Sequence, residues 1–270
     1  PPLVVQSFIW TQQLRAQNKA LGDALDEIFA TARNAGFRHM ELMPAFLEPD
    51  VTQRTLGLLK KHSLRAPIVY FGGPMHEPAA AEKTIARAVE LGEVAKEAGA
   101  RAINCNPLPK AGRGRKSDDE LTTQAEALNR LGEQLRSRGL RLFVHHHDVE
   151  MAEDAREWRH VLNHTDPSLV SLCVDVEWAV HAGQNPLKLL EEAGARVASL
   201  HLRNSVGNVW TETLGEGDIN YRQVAARLNR ARLKPYLVVE LAYARETKVT
   251  RSLLENLRLS RIYAEKVFGL

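Results

Sequence analysis

Two cysteines, Cys105 and Cys173, are all that the 270-residue chain contains, too few for a disulfide framework. Both lie in apolar, strand-like stretches, so two buried free thiols are expected. Aromatic residues are sparse at 6%, and no apolar run approaches the roughly 20 residues needed to cross a bilayer. Net charge is nearly absent as well. A formal +3 on a chain of this length gives no electrostatic reason to expect nucleic acid as a partner. There is no Gly-rich turn after the first strand-like segment. Phe8-Ile9-Trp10-Thr11 stands there instead, which argues against a doubly wound nucleotide-binding sheet. The sequence begins Pro1-Pro2. A cytoplasmic location is the default expectation, with export behind a removed signal as the alternative.

What is present suits one α/β domain spanning residues 1–270. The chain is 44% hydrophobic and 26% charged, and long enough to bury a large core without staples. Apolar, β-rich segments fall at 3–9, 37–42, 65–70, 102–106, 141–146, 170–174, 197–201 and 236–241. Between them run stretches of helical periodicity, clearest at 21–35, 78–98, 118–138 and 221–230. Gly36, Gly99, Gly139 and Gly194 each stand between a helical stretch and the next strand, where a left-handed cap is wanted. Ser117 precedes three acidic residues, a helix start. Eight such alternations without a break in composition predict a (β/α)8 TIM barrel. The basic stretch from Lys110 to Lys116 reads as a solvated loop, with a lid or anion contact as the sharper alternative.

In a barrel of this kind chemistry sits where the strands end. There this sequence repeatedly places ionisable groups: Glu41, the Asn104-Cys105-Asn106 triplet, the run from His145 to Glu150, Asp175, His201 with Arg203, and Glu240. Asp175, His201 and Glu240 each close an apolar run: Ser171-Leu-Cys-Val, Ala198-Ser-Leu and Leu237-Val-Val. A carboxylate or imidazole there is costly unless it is paired or binds a metal. A mixed carboxylate and imidazole set suits Mn²⁺, Zn²⁺, Co²⁺ or Fe²⁺ better than Ca²⁺. By strand alternation His145 and His147 share a face that points into the mouth, and His146 points away. Trp10, Trp178 and Trp210 follow strand-like segments and could pack against a sugar face or under loops.

Five motifs carry a family resemblance: Val144-His-His-His-Asp-Val-Glu150, Cys173-Val-Asp-Val-Glu-Trp-Ala-Val-His-Ala-Gly-Gln-Asn-Pro186, Ser199-Leu-His-Leu-Arg-Asn204, Leu214-Gly-Glu-Gly-Asp-Ile-Asn-Tyr221 and Val238-Val-Glu-Leu241. Through them the chain resembles the xylose-isomerase-like TIM barrels of the sugar phosphate isomerase/epimerase family, most strongly over residues 140–243. The resemblance implies one divalent metal, with Mn²⁺ the first expectation and Zn²⁺, Co²⁺, Fe²⁺ or Mg²⁺ as alternatives. It implies ligands Asp175, His201 and Glu240. A subgroup with a His-x-His-x-x-Glu pattern points to Glu150 as the fourth; His145 or His147 is the alternative. It further implies Glu150 and Glu240 as an acid/base pair, and His147 as a proton shuttle. Glu41, Asn106, His145, Trp178 and Arg203 are the candidate substrate contacts, with a structural salt bridge as the alternative for Glu41.

The expected activity is isomerisation or epimerisation of a small sugar, keto-sugar or polyol by proton transfer next to a carbonyl. The alternative is a dehydratase or lyase acting on a keto-polyol or keto-glycoside. In the ketohexose epimerases of this group a His stands at the third position after the strand-six Asp. Here that position is Trp178, which argues for a different substrate. The endonuclease IV family shares the barrel but needs a richer His/Glu set and a DNA-binding surface. A barrel that binds metal without catalysis is a third class. No membrane partner is expected, and a homo-oligomer is compatible with the fold.

Overall fold

The structure, a computed structural model, describes residues 2–270. Ten strands are present: β1 (Leu3–Gln6), β2 (His39–Leu42), β3 (Arg65–Gly72), β4 (Ala102–Asn106), β5 (Arg141–Val144), β6 (Val170–Asp175), β7 (Val197–Leu202), β8 (Ser205–Val206), β9 (Val209–Trp210) and β10 (Tyr236–Val239). All but β8 and β9 pair in parallel in the closed order β1-β10-β7-β6-β5-β4-β3-β2, so the expected (β/α)8 barrel is formed. The short antiparallel pair β8–β9 is an insertion after β7 that sequence periodicity did not signal.

Helices wrap the outside, including Leu21–Asn34, Pro78–Glu97, Asp118–Arg136, Tyr221–Arg230 and Leu253–Phe268. The start at Asp118 is fixed by a full capping box. The Ser117 hydroxyl accepts from the Glu120 N–H, and the Glu120 carboxylate accepts from the Ser117 N–H. Gly36 and Gly99 take φ of +96° and +90°, a left-handed exit that a side chain would resist. The first strand is shorter than expected. The chain turns into a helix at Phe8, so Ile9 and Trp10 belong to Phe8–Ala16. Trp10 is buried on the outside of the barrel and borders a groove with Leu14, Ile28 and Leu253, away from the mouth.

The barrel interior has two contrasting layers. Val4, Ile68, Ala102, Phe143, Cys173, Ala198 and Val238 form one apolar cluster. Two residues further along the same strands stand Gln6, Tyr70, Asn104, His145, Asp175 and Glu240. A step of two keeps a side chain on the same face. The interior therefore changes from apolar to ionisable within one pleat, at the C-terminal end. Cys105 and Cys173 are both buried free thiols, and burial pushes the Cys105 thiol up to about 12.

Candidate metal centre at the barrel mouth

One ligand atom from each of His145, Asp175, His201 and Glu240 lies within 4.8 Å of the others. The set comes from the ends of β5, β6, β7 and β10. Asp175 and His201 are neighbours because the strand register pairs them directly. His201 Nδ1 lies 2.8 Å from Glu240 Oε2 and 3.8 Å from Asp175 Oδ2. His145 Nε2 lies 3.5 Å from Asp175 Oδ2. Three of the four side chains are sealed from solvent; Glu240, at 12% exposed, faces the opening.

The donor set fits a divalent cation. Both ring nitrogens of His145 and Oδ2 of Asp175 are buried without a hydrogen-bond partner. Unsatisfied polar atoms in such a place are expensive, and a cation would satisfy Asp175 Oδ2 and one of the two His145 nitrogens together. Burial, reinforced by His201 and His147, holds the His145 pKa well below the imidazole range, so the ring is neutral, the form that ligates metal. Burial raises the Asp175 carboxyl, with Glu240 adding to the rise and Arg203 opposing it. Burial would also raise Glu240, but His201 and Arg203 more than offset it and hold the carboxylate ionised. Burial works against a charged His201; Cys173, Glu41 and Glu240 nevertheless lift its pKa well above the usual value. Two imidazoles with two carboxylates suit Mn²⁺, Fe²⁺, Co²⁺ or Zn²⁺.

The structure differs from the sequence reading at Glu150. The cluster takes His145 from the β5 end, whereas Glu150 lies in the turn Val149–Met151. Its Oε2 accepts the His147 N–H at 2.7 Å, and its Oε1 is buried without a partner. Burial, together with Glu157, raises its pKa. The reason is geometric: β5 ends at Val144, and the turn carries Glu150 to the side of Glu157 and Lys116. Three successive residues just after it, Glu153, Asp154 and Ala155, take left-handed φ of +52° to +57°. Such a conformation costs roughly 1–2 kcal/mol per non-glycine residue. Ion pairs Arg115–Glu153 and Lys116–Glu157 brace the segment.

The other candidates sort by position. His147 stacks edge-on against His145 at 4.8 Å and Trp178 at 5.4 Å. Burial lowers its pKa below the ordinary imidazole value, with Asp175 and Glu240 opposing the shift. His146 points away, as alternation predicts, and its Nε2 accepts the Asp175 N–H at 3.1 Å. Arg203 is buried, with its guanidinium 4.1 Å over the Trp210 ring and 5.4 Å from Trp178. Its Nη1 lies 3.9 Å from Glu240 Oε2 and its Nη2 3.5 Å from Glu177 Oε2. Arg203 and Trp178 thus border the cluster.

Asn106 and Glu41 do not line the opening. Asn106 is fully buried and donates to the His145 carbonyl at 3.3 Å, which props the strand end. Glu41 is fully buried, with its oxygens on His201 and Asn104. In this structure both brace neighbouring groups, which for Glu41 is the structural pairing that the sequence offered as the alternative. Tyr70 was missed as a member of the site, and Asn104 and Glu177 stood only within quoted stretches without a role. Strand alternation could have placed Tyr70 and Asn104, since each stands two residues after an apolar interior position. The basic loop is solvated over residues 111–115, where Arg113 and Arg115 pair with Asp148 and Glu153; Lys110 pairs with Glu120, and Lys116 is buried on Glu157.

A closed barrel with its ionisable groups gathered at the C-terminal mouth defines a class in which enzymes predominate. The family model described as "Xylose isomerase-like TIM barrel" matches residues 29–260, and the chain belongs to that family. Among curated proteins it is similar to inosose dehydratase of Clostridium perfringens, 28% identical over 142 residues, 46% of this chain and 48% of that protein. The match spans about half the length of that relative. Among solved structures it resembles L-ribulose 3-epimerase, with a TM-score of 0.78 and 15% identity, covering 99% of this chain and 94% of that one. A sugar phosphate isomerase/epimerase from Parabacteroides distasonis aligns with a TM-score of 0.72 and 19% identity, covering 99% and 93%. At these identities the solved structures speak to the fold alone. Among the described residues no helix is long and apolar enough to cross a membrane.

Proposed function

We propose that the chain is a divalent-metal-dependent enzyme that moves a proton next to the carbonyl of a small sugar, keto-sugar or polyol. The observation that carries this reading is the gathering of His145, Asp175, His201 and Glu240 at one end of the barrel, with the His145 nitrogens and Asp175 Oδ2 unpartnered. These four residues would hold the ion, with Mn²⁺ the first choice. Bound there, a divalent ion supplies polarisation of a carbonyl and stabilisation of the negative charge that follows loss of the neighbouring proton.

The chain's own groups divide the remaining work. Glu240 is ionised and the most open of the four, so it is the candidate base for the substrate C–H. Arg203, a buried cation beside Glu240, would orient a substrate oxygen, and Trp178 would flank the ring. Glu150 carries a raised pKa and lies beyond His147, which makes the pair candidates for returning the proton. The sealed walls exclude water, which strengthens each of these interactions.

A second reading, dehydration of a keto-polyol, is favoured by one observation: curated proteins similar to this chain in sequence include inosose dehydratases. Both readings share the first proton removal and diverge in what leaves next. The test is to load the protein with Mn²⁺ and offer keto-sugars and inososes in deuterated water. Deuterium in a product of unchanged composition supports the isomerase reading, and loss of water supports the dehydratase. A protein that holds no metal and exchanges no substrate proton would overturn both.

A further inference from the structure

Glu41 is an odd residue to find inside a barrel. It lies on β2, in register with Gln6 of β1 and Ile68 of β3, and is fully buried. A buried carboxylate costs several kcal/mol unless it is paired, roughly. Its partners are not on neighbouring strands. Oε2 reaches across the interior to His201 Nε2 on β7 at 3.0 Å, and Oε1 accepts from Asn104 Nδ2 on β4 at 3.1 Å. Asn104 Nδ2 also lies 3.2 Å from His201 Nε2. Three strands from different parts of the wall thus converge on one imidazole nitrogen. The opposite nitrogen, Nδ1, is the one that faces Asp175 and Glu240.

We infer that Glu41 is a positioning residue, held by Asn104, that fixes the His201 ring so that Nε2 carries the proton and Nδ1 is turned to the ligand cluster. Nδ1 also faces a carboxylate, Glu240 Oε2 at 2.8 Å, so both nitrogens favour a proton until a cation takes the Nδ1 lone pair; with Nδ1 on the cation, Nε2 is the one place left for the proton. A carboxylate 3.0 Å from an unprotonated nitrogen would set two lone pairs against each other. The Asn104 amide does not change this. With its nitrogen toward Glu41 it donates to the carboxylate. With the group flipped, its oxygen would be a second acceptor for the same Nε2–H. Carboxylate–histidine pairs of this kind orient metal ligands and raise their basicity. Of the four ligand candidates Glu41 meets His201, at the nitrogen turned away from Asp175 and Glu240, so its effect on the cluster runs through that ring.

The inference rests on the proposed metal centre, and the experiment separates the two. Wild type, Glu41→Gln and Glu41→Ala would be titrated with Zn²⁺ against a competing chelator, with Mn²⁺ as a second probe. The ¹⁵N-labelled Zn²⁺ forms would be examined by NMR. The expected wild-type spectrum shows a protonated, slowly exchanging His201 Nε2 with its proton far downfield, and an unprotonated Nδ1. In Glu41→Gln that proton moves upfield, because an amide oxygen is the weaker acceptor. Zn²⁺ affinity falls about 10- to 100-fold in Glu41→Ala, and less in Glu41→Gln, which keeps an acceptor. A merely space-filling Glu41 would leave the Nε2 proton where it is in the glutamine variant. An unprotonated Nε2 in the wild type would overturn the inference while leaving the metal centre intact. So would variants that bind Zn²⁺ as tightly as the wild type. A wild type that takes up neither ion would overturn the metal centre and this inference with it.

Discussion

The two interior layers of the barrel are built on the same strands, one pleat apart, and do opposite things. The lower layer, Val4, Ile68, Ala102, Phe143, Cys173, Ala198 and Val238, holds no ionisable side chain apart from a thiol. The upper layer holds Glu41, His145, Asp175, His201 and Glu240, nearly all sealed from water. The lower layer stabilises by removing apolar surface from water. The upper layer does the reverse, since it buries several charges that only mutual pairing or a cation compensates. Phe143 and His145 show the contrast on one strand end: a ring of similar shape, packed in one case and unpartnered in the other. Substitutions should therefore separate into those that cost function at little cost in stability and those that do the opposite.

The sharpest break would come from Glu240→Gln. The variant keeps the shape and loses the base, so turnover on a responsive substrate should fall by about 10²- to 10⁴-fold, with solvent deuterium exchange falling in parallel. Thermal unfolding of the metal-free protein should change little. Near-normal turnover would move the base to Glu150 or His147. The mirror experiment lies one layer down. Phe143→Ala should destabilise by about 3–5 kcal/mol in urea titrations. At temperatures where it stays folded, it should still take up about one equivalent of Mn²⁺, as expected if the ligand shell is set by the layer above. If Phe143→Ala abolished metal uptake while folded, the two layers would not be separable.

A pH titration probes the seam between them. His146 sits behind the cluster with its pKa lowered by burial to about 3 from an ordinary 6.5. The folded state keeps this ring neutral while the unfolded state takes a proton below pH 6.5. Its contribution to stability is therefore full above pH 6.5 and is lost as pH falls from 6.5 toward 3. Glu150 runs the other way. Its folded pKa is raised, so its contribution is full below the ordinary carboxylate range and is lost as pH rises through the raised value. Urea midpoints across roughly pH 4–8 should show His146→Gln with a flatter acid limb, and Glu150→Gln with a smaller loss of stability as pH rises above the ordinary carboxylate range. Wild-type-like slopes in both would mean that other groups set the profile.

The layers also explain what was legible in the sequence. The barrel was readable because eight apolar runs alternate with helical stretches and glycines mark the exits. Asp175, His201 and Glu240 were readable because each closes an apolar run, so position along one strand was enough. Glu41 and Asn106 were found, but their contacts with His201, Asn104 and the His145 carbonyl were not legible. Whether a strand-end polar group faces the opening or another strand depends on contacts across the barrel, which no local pattern encodes. At the end of β5 the two lines of reading diverged: alternation turned His145 and His147 to the mouth, the family resemblance pointed to Glu150, and the cluster in the structure takes His145, because the turn after Val144 carries Glu150 aside. The β8–β9 pair escaped because two-residue strands carry no periodicity.

The smallest expected effect concerns the loop over the rim, where the same contrast of sealed and open recurs within seven residues. Lys116 is buried and gives its ammonium to the Pro107 carbonyl, Gln124 and Glu157. Arg113, at 61% exposed, meets Asp148 at 2.6 Å in open solvent. An exposed pair is screened by salt and gains little over hydration. Arg113→Ala should therefore cost no more than about 1 kcal/mol, and the loss should shrink further in high salt. Its KM on a responsive substrate should stay at the wild-type value, because the loop is held by Lys116 rather than by this pair. The decisive outcome is a rise in KM without loss of stability. That would show the outer half of the loop to be a lid over the mouth, with Arg113 and Asp148 as its latch.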